Sequence, residues 1–279
     1  MDYSKLSCPI CQGEFTKDGN ALRCCNGHCF DIASEGYVNL LPANFKKTQL
    51  PGDNKIMVNA RRDFLGKGFF APLALSVAQR LMGASAILDA GCGTGWYGSQ
   101  IKSILSNGNT SPYVCGIDIS KFAVRLAAKS GVDCAAVGSV FNLPLKDCCF
   151  DAALTVFAPL CADELLRVCK KGATVVTVNP AERHLIELKQ AMYGIATYEN
   201  PPENAQKPLI SSNGDVLFEH THSERLTFSG KLEGASELSA LLSMTPYLYK
   251  TGEEQKSHLL SLNELTCTFD FYIDVYKKV

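Results

Sequence analysis

The stretch Leu88-Asp89-Ala90-Gly91-Cys92-Gly93-Thr94-Gly95-Trp96-Tyr97 places three glycines at alternate positions behind an acid. Glycine tolerates positive φ and has no Cβ, so a Gly-x-Gly-x-Gly turn lets the main chain pass close to a ligand. The residues before it, Ser85 to Ala90, form a short apolar run of the kind found in buried parallel strands. A strand ending in such a turn offers it at the carboxyl edge of a sheet, where nucleotide-like ligands bind. The dinucleotide fingerprint wants a further glycine where Trp96 stands, so no pyrophosphate is implied.

A second β-rich run, Tyr113-Val114-Cys115-Gly116-Ile117-Asp118, ends in an acid 27 positions beyond Gly91. An acid at that tip can accept hydrogen bonds from both hydroxyls of a ribose. Asp118 also suits a cap for the helix predicted from Lys121 to Lys129, as does Ser120. The glycine turn and the acid together resemble the first motifs of S-adenosylmethionine-dependent methyltransferases of the Rossmann-like class.

A different chemistry is written near the amino terminus, where Cys8-Pro9-Ile10-Cys11 is followed after twelve residues by Cys24-Cys25-Asn26-Gly27-His28-Cys29. Two thiolates at Cys-x2-Cys spacing grip one zinc from a tight turn, and a second knuckle completes a tetrahedron. Spacing permits two ligand sets: Cys8, Cys11, Cys24 and His28, or Cys8, Cys11, Cys25 and Cys29. A closed four-ligand site is structural, and so short and polar a segment has little core without a metal. The order of ligands differs from that of the DNA-reading finger, whose recognition helix ends in two histidines.

These groups belong to a chain of 279 residues, 46% hydrophobic and 20% charged, with a net charge of −1, enough for one large domain and a small appendage. No apolar run reaches the ~20 residues of a membrane span, and Met1 to Ile10 lacks a signal-peptide core, which points to the cytoplasm. Thirteen cysteines, an odd number, many of them inside predicted strands and helices, read as buried thiols and not as disulfides. Between Leu41 and Gly68 six cations (Lys46, Lys47, Lys55, Arg61, Arg62, Lys67) face two acids (Asp53, Asp63), a local excess of four. Such an excess can hold phosphates; its bland counterpart is a solvated linker.

The zinc cluster, His28-Cys29-Phe30-Asp31, Glu35 to Pro42 (Glu-Gly-Tyr-Val-Asn-Leu-Leu-Pro), Pro51-Gly52-Asp53, Ala60-Arg61-Arg62-x-Phe64-Leu65 and the glycine turn resemble, over nearly the whole chain, the bacterial 23S rRNA guanine-N1 methyltransferase family. The resemblance implies a zinc module ahead of a Rossmann-like methyltransferase domain, with zinc on Cys8, Cys11, Cys24 and His28. Cys25 and Cys29 depart from the family's usual residues. It further implies S-adenosylmethionine over Gly91, Cys92, Gly93, Thr94 and Gly95, with Asp118 on its ribose and Phe70 and His184 in contact. The family commonly has tyrosine where Phe70 stands. The guanine is expected at Phe157, Ala158 and Pro159, and the 23S rRNA hairpin along Lys46, Lys47, Arg61 and Arg62. Family members pair as homodimers.

The predicted elements fit an α/β fold: a zinc module over 1–40, a basic connector over 41–72 and the methyltransferase domain over 73–279. After Asp118 come a strand from Asp133 to Gly138, a strand from Asp151 to Phe157, a helix from Ala162 to Val168 and a strand from Ala173 to Val178. A helix opening at Arg183, an exposed loop from Asn200 to Ser212, a strand from Glu224 to Ser229, a helix from Ala235 to Ser243 and a last strand from Thr266 to Tyr276 complete the chain. Guanine N1 is protonated at neutral pH, so a base is needed; Asp147, Asp151 and His184 are candidates. Two other functions share these features. One is a methyltransferase of a small-molecule or protein acceptor, the other an inactive zinc- and RNA-binding module.

Overall fold

The computed structural model describes residues 1–42, 51–108, 110–195, 198 and 207–279. Along the chain the strands are β1 (Phe15–Asp18), β2 (Ala21–Cys24), β3 (Cys29–Asp31), β4 (Val38–Asn39), β5 (Ala86–Ala90), β6 (Tyr113–Asp118), β7 (Cys134–Val137), β8 (Phe150–Val156), β9 (Cys169–Pro180), β10 (Leu209–Ile210), β11 (Val216–Glu233) and β12 (Glu264–Lys278). The helices are α1 (Lys55–Gly66), α2 (Ala71–Arg80), α3 (Trp96–Leu105), α4 (Lys121–Ala127), α5 (Ala162–Val168), α6 (Ile186–Tyr193), α7 (Gly234–Ser243) and α8 (Glu253–Ser261).

β1, β2 and β3 form a small antiparallel sheet, and the remaining strands form one sheet in the order β10-β11-β12-β9-β8-β5-β6-β7-β4. Its half from β4 to β9 is parallel, and β12, β11 and β10 are added antiparallel. From β5 the chain winds outward through β6 and β7, then returns to the other side of β5 for β8 and β9. The strand order therefore reverses between β5 and β8, the switch point at which open α/β sheets bind ligands.

β5 is buried at all five positions, as a strand covered on both faces must be. Ile87, Val114, Ala135 and Leu154 pack on one face with residues of α1 to α4 and α6 to α8, while Leu88, Cys115, Ala136 and Ala153 pack on the other. That second face is covered by Leu165 and Val168 of α5 and by Leu6, Leu22 and Leu40 of the amino-terminal module. Between β7 and β8 the chain runs without a helix. The module occupies the space beside this connection: Ser7 N donates to the Pro144 carbonyl at 3.0 Å and Lys146 N to the Lys5 carbonyl at 2.9 Å.

Several boundaries differ from those predicted. The module's last strand, β4, pairs in parallel with β7, Val38 opposite Ala136, so the first 40 residues contribute an edge to the main sheet. From residue 51 onward, the segment expected as a basic connector over 41–72 packs into the methyltransferase domain. Asn54 caps α1 by accepting from Ile56 N and Met57 N, and Phe64, Leu65 and Phe70 lie in the methyltransferase core. α6 begins at Ile186 and not at Arg183, because Leu185 adopts a left-handed φ of 55°. β11 runs well beyond the predicted Glu224–Ser229, paired with β12 from Phe218 opposite Lys278 to Glu233 opposite Glu264. Of the predicted loop over 200–212, residues 200–206 lie outside the described residues, and Leu209 and Ile210 form β10.

Candidate cofactor cleft and metal centre

All three glycines of the turn are left-handed, with φ of 79° at Gly91, 54° at Gly93 and 75° at Gly95. Gly91 N and Cys92 N both donate to the Ile117 carbonyl, which ties the turn to the end of β6. Two of the glycines are also required by space. A Cβ on Gly91 would stand 2.3 Å from the Cβ of Ala158, and one on Gly95 would stand 2.8 Å from the Cα of Ala127. Behind the turn, Asp89 accepts from Gly98 N at 3.1 Å, which fastens α3 to β5. Burial raises this carboxyl to a pKa of about 7.

Asp118 stands opposite. One carboxylate oxygen accepts from Gly93 N at 2.9 Å and the other from Ser120 N at 2.7 Å. The capping of α4 falls to Ser120, whose hydroxyl accepts from Ala123 N, so Asp118 does not serve as that cap. Burial raises the Asp118 pKa, the two amides oppose the rise, and the remaining acceptor capacity of the carboxylate faces the cleft.

The cleft has two lobes. The first, about 330 Å³, is walled by the glycine turn, Asp118, Ile119, Ser139 to Phe141 and Phe157 to Pro159. The second, about 430 Å³, is walled by Phe70, Phe157, Asn179, His184 and Met244 to Tyr247. Arg61, Leu65, Tyr97, Phe157 and Ala158 belong to both. Phe157 divides them from a left-handed conformation, φ 56°, and is 44% exposed. A bulky residue there is strained by about 1–2 kcal/mol, the kind of strain found at ligand sites.

The expected site residues are thus distributed between the lobes. Gly91, Cys92, Gly93, Thr94 and Asp118 line the first, Phe70 and His184 the second, and Gly95 supports the turn from behind as the residue preceding α3. Phe70 is buried, edge to face with Phe64, Phe269 and Phe271. His184 Nδ1 accepts from Asp270 N at 3.3 Å, which leaves Nε2 as the protonated nitrogen of the neutral ring, and the ring lies 4.8 Å from that of Phe271.

Two of the three proposed bases are excluded. Asp151 sits at the amino end of β8, accepting from Ser85 N at 3.0 Å and Ala86 N at 2.9 Å, and Asp147 pairs with Arg167. Both lie at the end of the sheet opposite the cleft: Asp151 is the second residue of β8 and Asp147 precedes that strand, so neither reaches its carboxyl end. Sequence inspection assigned no site role to Tyr97, Asp53, Asn179 and Tyr247; Asp53 stands in the Pro51-Gly52-Asp53 motif, and the other three carry no spacing signal.

Of the expected RNA contacts, Lys46 and Lys47 lie outside the described residues. Arg62 is on the surface beside Asp63. Arg61 instead turns into the cleft, paired with Asp53 and donating to the Met244 carbonyl at 3.2 Å. Its neighbour in sequence faces outward because residues one apart on a helix do not share a face.

In the amino-terminal module, the ligand atoms of Cys8, Cys11, Cys24 and His28 lie within 4.8 Å of one another. Cys11 Sγ is 3.6 Å from Cys24 Sγ, and His28 Nδ1 is 3.3 Å from Cys24 Sγ and 3.5 Å from Cys8 Sγ. A tetrahedral zinc with bonds near 2.3 Å to sulfur and 2.0 Å to nitrogen separates its ligands by roughly 3.5–3.8 Å, so the donor set fits that ion. Two turns shape it: Cys8 N donates to the Gly13 carbonyl, and Cys24 N to the His28 carbonyl. Cys25 and Cys29 are exposed and stand outside this group.

Comparison with known proteins decides the family. A zinc-ribbon profile described as "RlmA, N-terminal" matches residues 6–49, and a methyltransferase-domain profile matches residues 82–228. A 23S rRNA (guanine(748)-N(1))-methyltransferase of Streptomyces fradiae is 31% identical over 96% of this chain and 95% of its own. The chain belongs to the 23S rRNA (guanine-N1)-methyltransferase family. Two further members, named as putative 23S rRNA (guanine-N(1)-)-methyltransferases, come from Bacillus subtilis and Micromonospora griseorubida. They are each 29% identical, over 97% and 88% of this chain and 96% and 87% of their own. Like the family, the chain is an S-adenosylmethionine-dependent methyltransferase with a structural zinc ribbon.

Proposed function

We propose that this chain transfers a methyl group from S-adenosylmethionine to N1 of a guanine in a hairpin of 23S rRNA. The observation that carries the proposal is the joint presence, over nearly the full length of the relatives, of a zinc ribbon and a methyltransferase domain whose cleft has two lobes. The cofactor brings a methyl group already activated on a sulfonium, so the protein's task is alignment and not covalent chemistry. Asp118 and the glycine turn would hold it in the first lobe. The target base, turned out of its stack, would enter at Phe157, Ala158 and Pro159, where the exposed Phe157 ring offers a stacking face. Of the three residues considered as bases, His184 alone lines the cleft; with Nδ1 accepting from Asp270 N, its Nε2–H can donate a hydrogen bond there but cannot take the N1 proton. The zinc ribbon and the stretch from Lys46 to Arg62, where Lys55 and Arg62 are exposed, would hold the RNA backbone. Homodimer formation and residence in the cytoplasm with the ribosome accompany this function.

The test is transfer of tritiated methyl to transcripts of 23S rRNA hairpins, followed by nuclease digestion. Label in N1-methylguanosine is the expected result. Label in another nucleoside, or none with rRNA while small acceptors are methylated, would overturn it.

A further inference from the structure

Two side chains in the wall between the lobes are placed for a ligand. The Tyr97 hydroxyl is buried without a hydrogen-bond partner among the described residues, and the residue is only 9% exposed. Buried phenols ordinarily find a partner. Tyr97 lines both lobes, so a bound molecule can supply one.

Arg61 is the second. Its ion pair with Asp53 and its bond to the Met244 carbonyl fix the guanidinium in position. A guanidinium carries five N–H donors, so those bonds leave others for a ligand. A Cβ on Gly93 would lie 3.8 Å from Arg61 Nη1, which puts the positive charge over the glycine turn. Burial raises the pKa of the Tyr97 phenol, and the Arg61 charge opposes that rise, so the two groups feel each other. No lysine and no second arginine occurs among the described residues lining either lobe.

S-adenosylmethionine has one anionic group, the α-carboxylate of its methionine moiety. Its sulfonium and ammonium would be repelled by a guanidinium. We propose that Arg61 and Tyr97 together hold that carboxylate, Arg61 by charge-assisted hydrogen bonds and Tyr97 by donating its hydroxyl proton. Arg61 thereby leaves the RNA surface and joins the cofactor site. This rests on the cofactor assignment and is independent of which RNA is methylated.

Calorimetry with two ligands tests it. S-adenosylhomocysteine carries the carboxylate; 5′-methylthioadenosine keeps the adenosine and sulfur but lacks the amino-acid group. Arg61→Met is expected to weaken S-adenosylhomocysteine at least tenfold and 5′-methylthioadenosine less than twofold, with Arg61→Lys between the two. Tyr97→Phe should weaken S-adenosylhomocysteine severalfold, again sparing 5′-methylthioadenosine. Should Arg61→Met fail to fold, Tyr97→Phe decides. It removes an oxygen bonded to nothing in the free protein, so the unliganded melting temperature should hold or rise while the shift caused by S-adenosylhomocysteine shrinks. Unchanged S-adenosylhomocysteine affinity, or equal losses for both ligands, overturns the assignment. A wild-type chain that binds neither ligand removes the cofactor assignment and this one with it. A chain that binds both as expected but methylates no rRNA fails the substrate proposal alone.

Discussion

Gly91 and Ala158 face each other across the switch point so closely that a Cβ on Gly91 would stand 2.3 Å from the Cβ of Ala158. The cofactor turn at the end of β5 and the expected base-binding corner at the end of β8 are thus in mutual contact. This contact brings the cofactor turn and the expected base pocket to one corner, where two ligands would meet.

Gly91→Ala combines a φ of 79° with that clash. Left-handed strain of ~1–2 kcal/mol and overpacking of ~1–3 kcal/mol give an expected loss of about 2–5 kcal/mol of stability, together with loss of cofactor binding. Gly93→Ala meets nothing closer than 3.8 Å, so strain alone applies, about 1–2 kcal/mol. Urea unfolding followed by the fluorescence of Trp96, the single tryptophan, compares them. Equal losses for the two variants would show that the contact with Ala158 yields freely.

What could be read from the sequence follows the strength of local signals. β6 and α5 have the predicted limits, whereas the strand predicted from Ala173 begins at Cys169, directly after α5, and takes in Lys170, Lys171 and Gly172. β11 was legible only at its centre, where Leu226 and Phe228 alternate with polar residues; further out, His220, His222 and Ser223 give no period of two, and pairing with β12 supplies the order. The joining of β4 to β7 is a long-range pairing of two residues and leaves no trace in composition. In the cleft, the glycine turn and Asp118 had spacing to betray them, whereas Tyr97 and Asn179 reach the wall through the fold. Arg61 and Arg62 read alike as basic residues, and only the orientation of α1 separates them.

Asp89 should make stability depend on pH. Its folded pKa of about 7 lies above the ordinary 3.8 because the carboxyl is buried. Between about pH 4 and pH 7 the folded state holds a proton that the unfolded chain has lost, so stability falls as pH rises through this window and the loss is complete above it. Three units correspond to at most ~4 kcal/mol. Asp118 pulls in the same direction and remains in the comparison. Asp89→Asn keeps an acceptor for Gly98 N but cannot titrate; its urea midpoint should change less than that of wild type between pH 5 and pH 8. A variant with the wild-type slope would mean that Asp89 stays ionised throughout.

The zinc ligands separate by substitution. Cys24→Ser should release the metal, while Cys25→Ser should retain one zinc per chain, since Cys24 lies in the four-ligand group and Cys25 is exposed outside it. Structural zinc contributes on the order of 10–16 kcal/mol in small modules, so chelation should melt the ribbon. Hydrogen exchange should then speed up over residues 6–42 and remain slow in β5. Metal content by atomic absorption gives the first answer; retention by Cys24→Ser and loss by Cys25→Ser would move the site to the four-cysteine set.

RNA binding is expected to show its electrostatic origin in salt dependence. Each single-strand phosphate neutralised contributes about 0.7 logarithmic units of affinity per tenfold change in salt. Lys46, Lys47 and Arg62 are the expected contacts; Arg61 is set apart because it is engaged with Asp53 and the Met244 carbonyl inside the cleft. The ion pair between Arg62 and Asp63 is more than half exposed on both sides, so exchanging it for a phosphate costs little. Replacing Lys46, Lys47 and Arg62 by glutamine should therefore flatten the salt slope by up to about 2 units and reduce methylation of the hairpin, with S-adenosylhomocysteine affinity unchanged. Arg61→Met should do the opposite, weakening the cofactor with the salt slope of RNA binding left intact. Titrations of a labelled hairpin at several salt concentrations read both variants. An unchanged slope in the triple variant would make this stretch a solvated surface and send the RNA path to other faces of the protein.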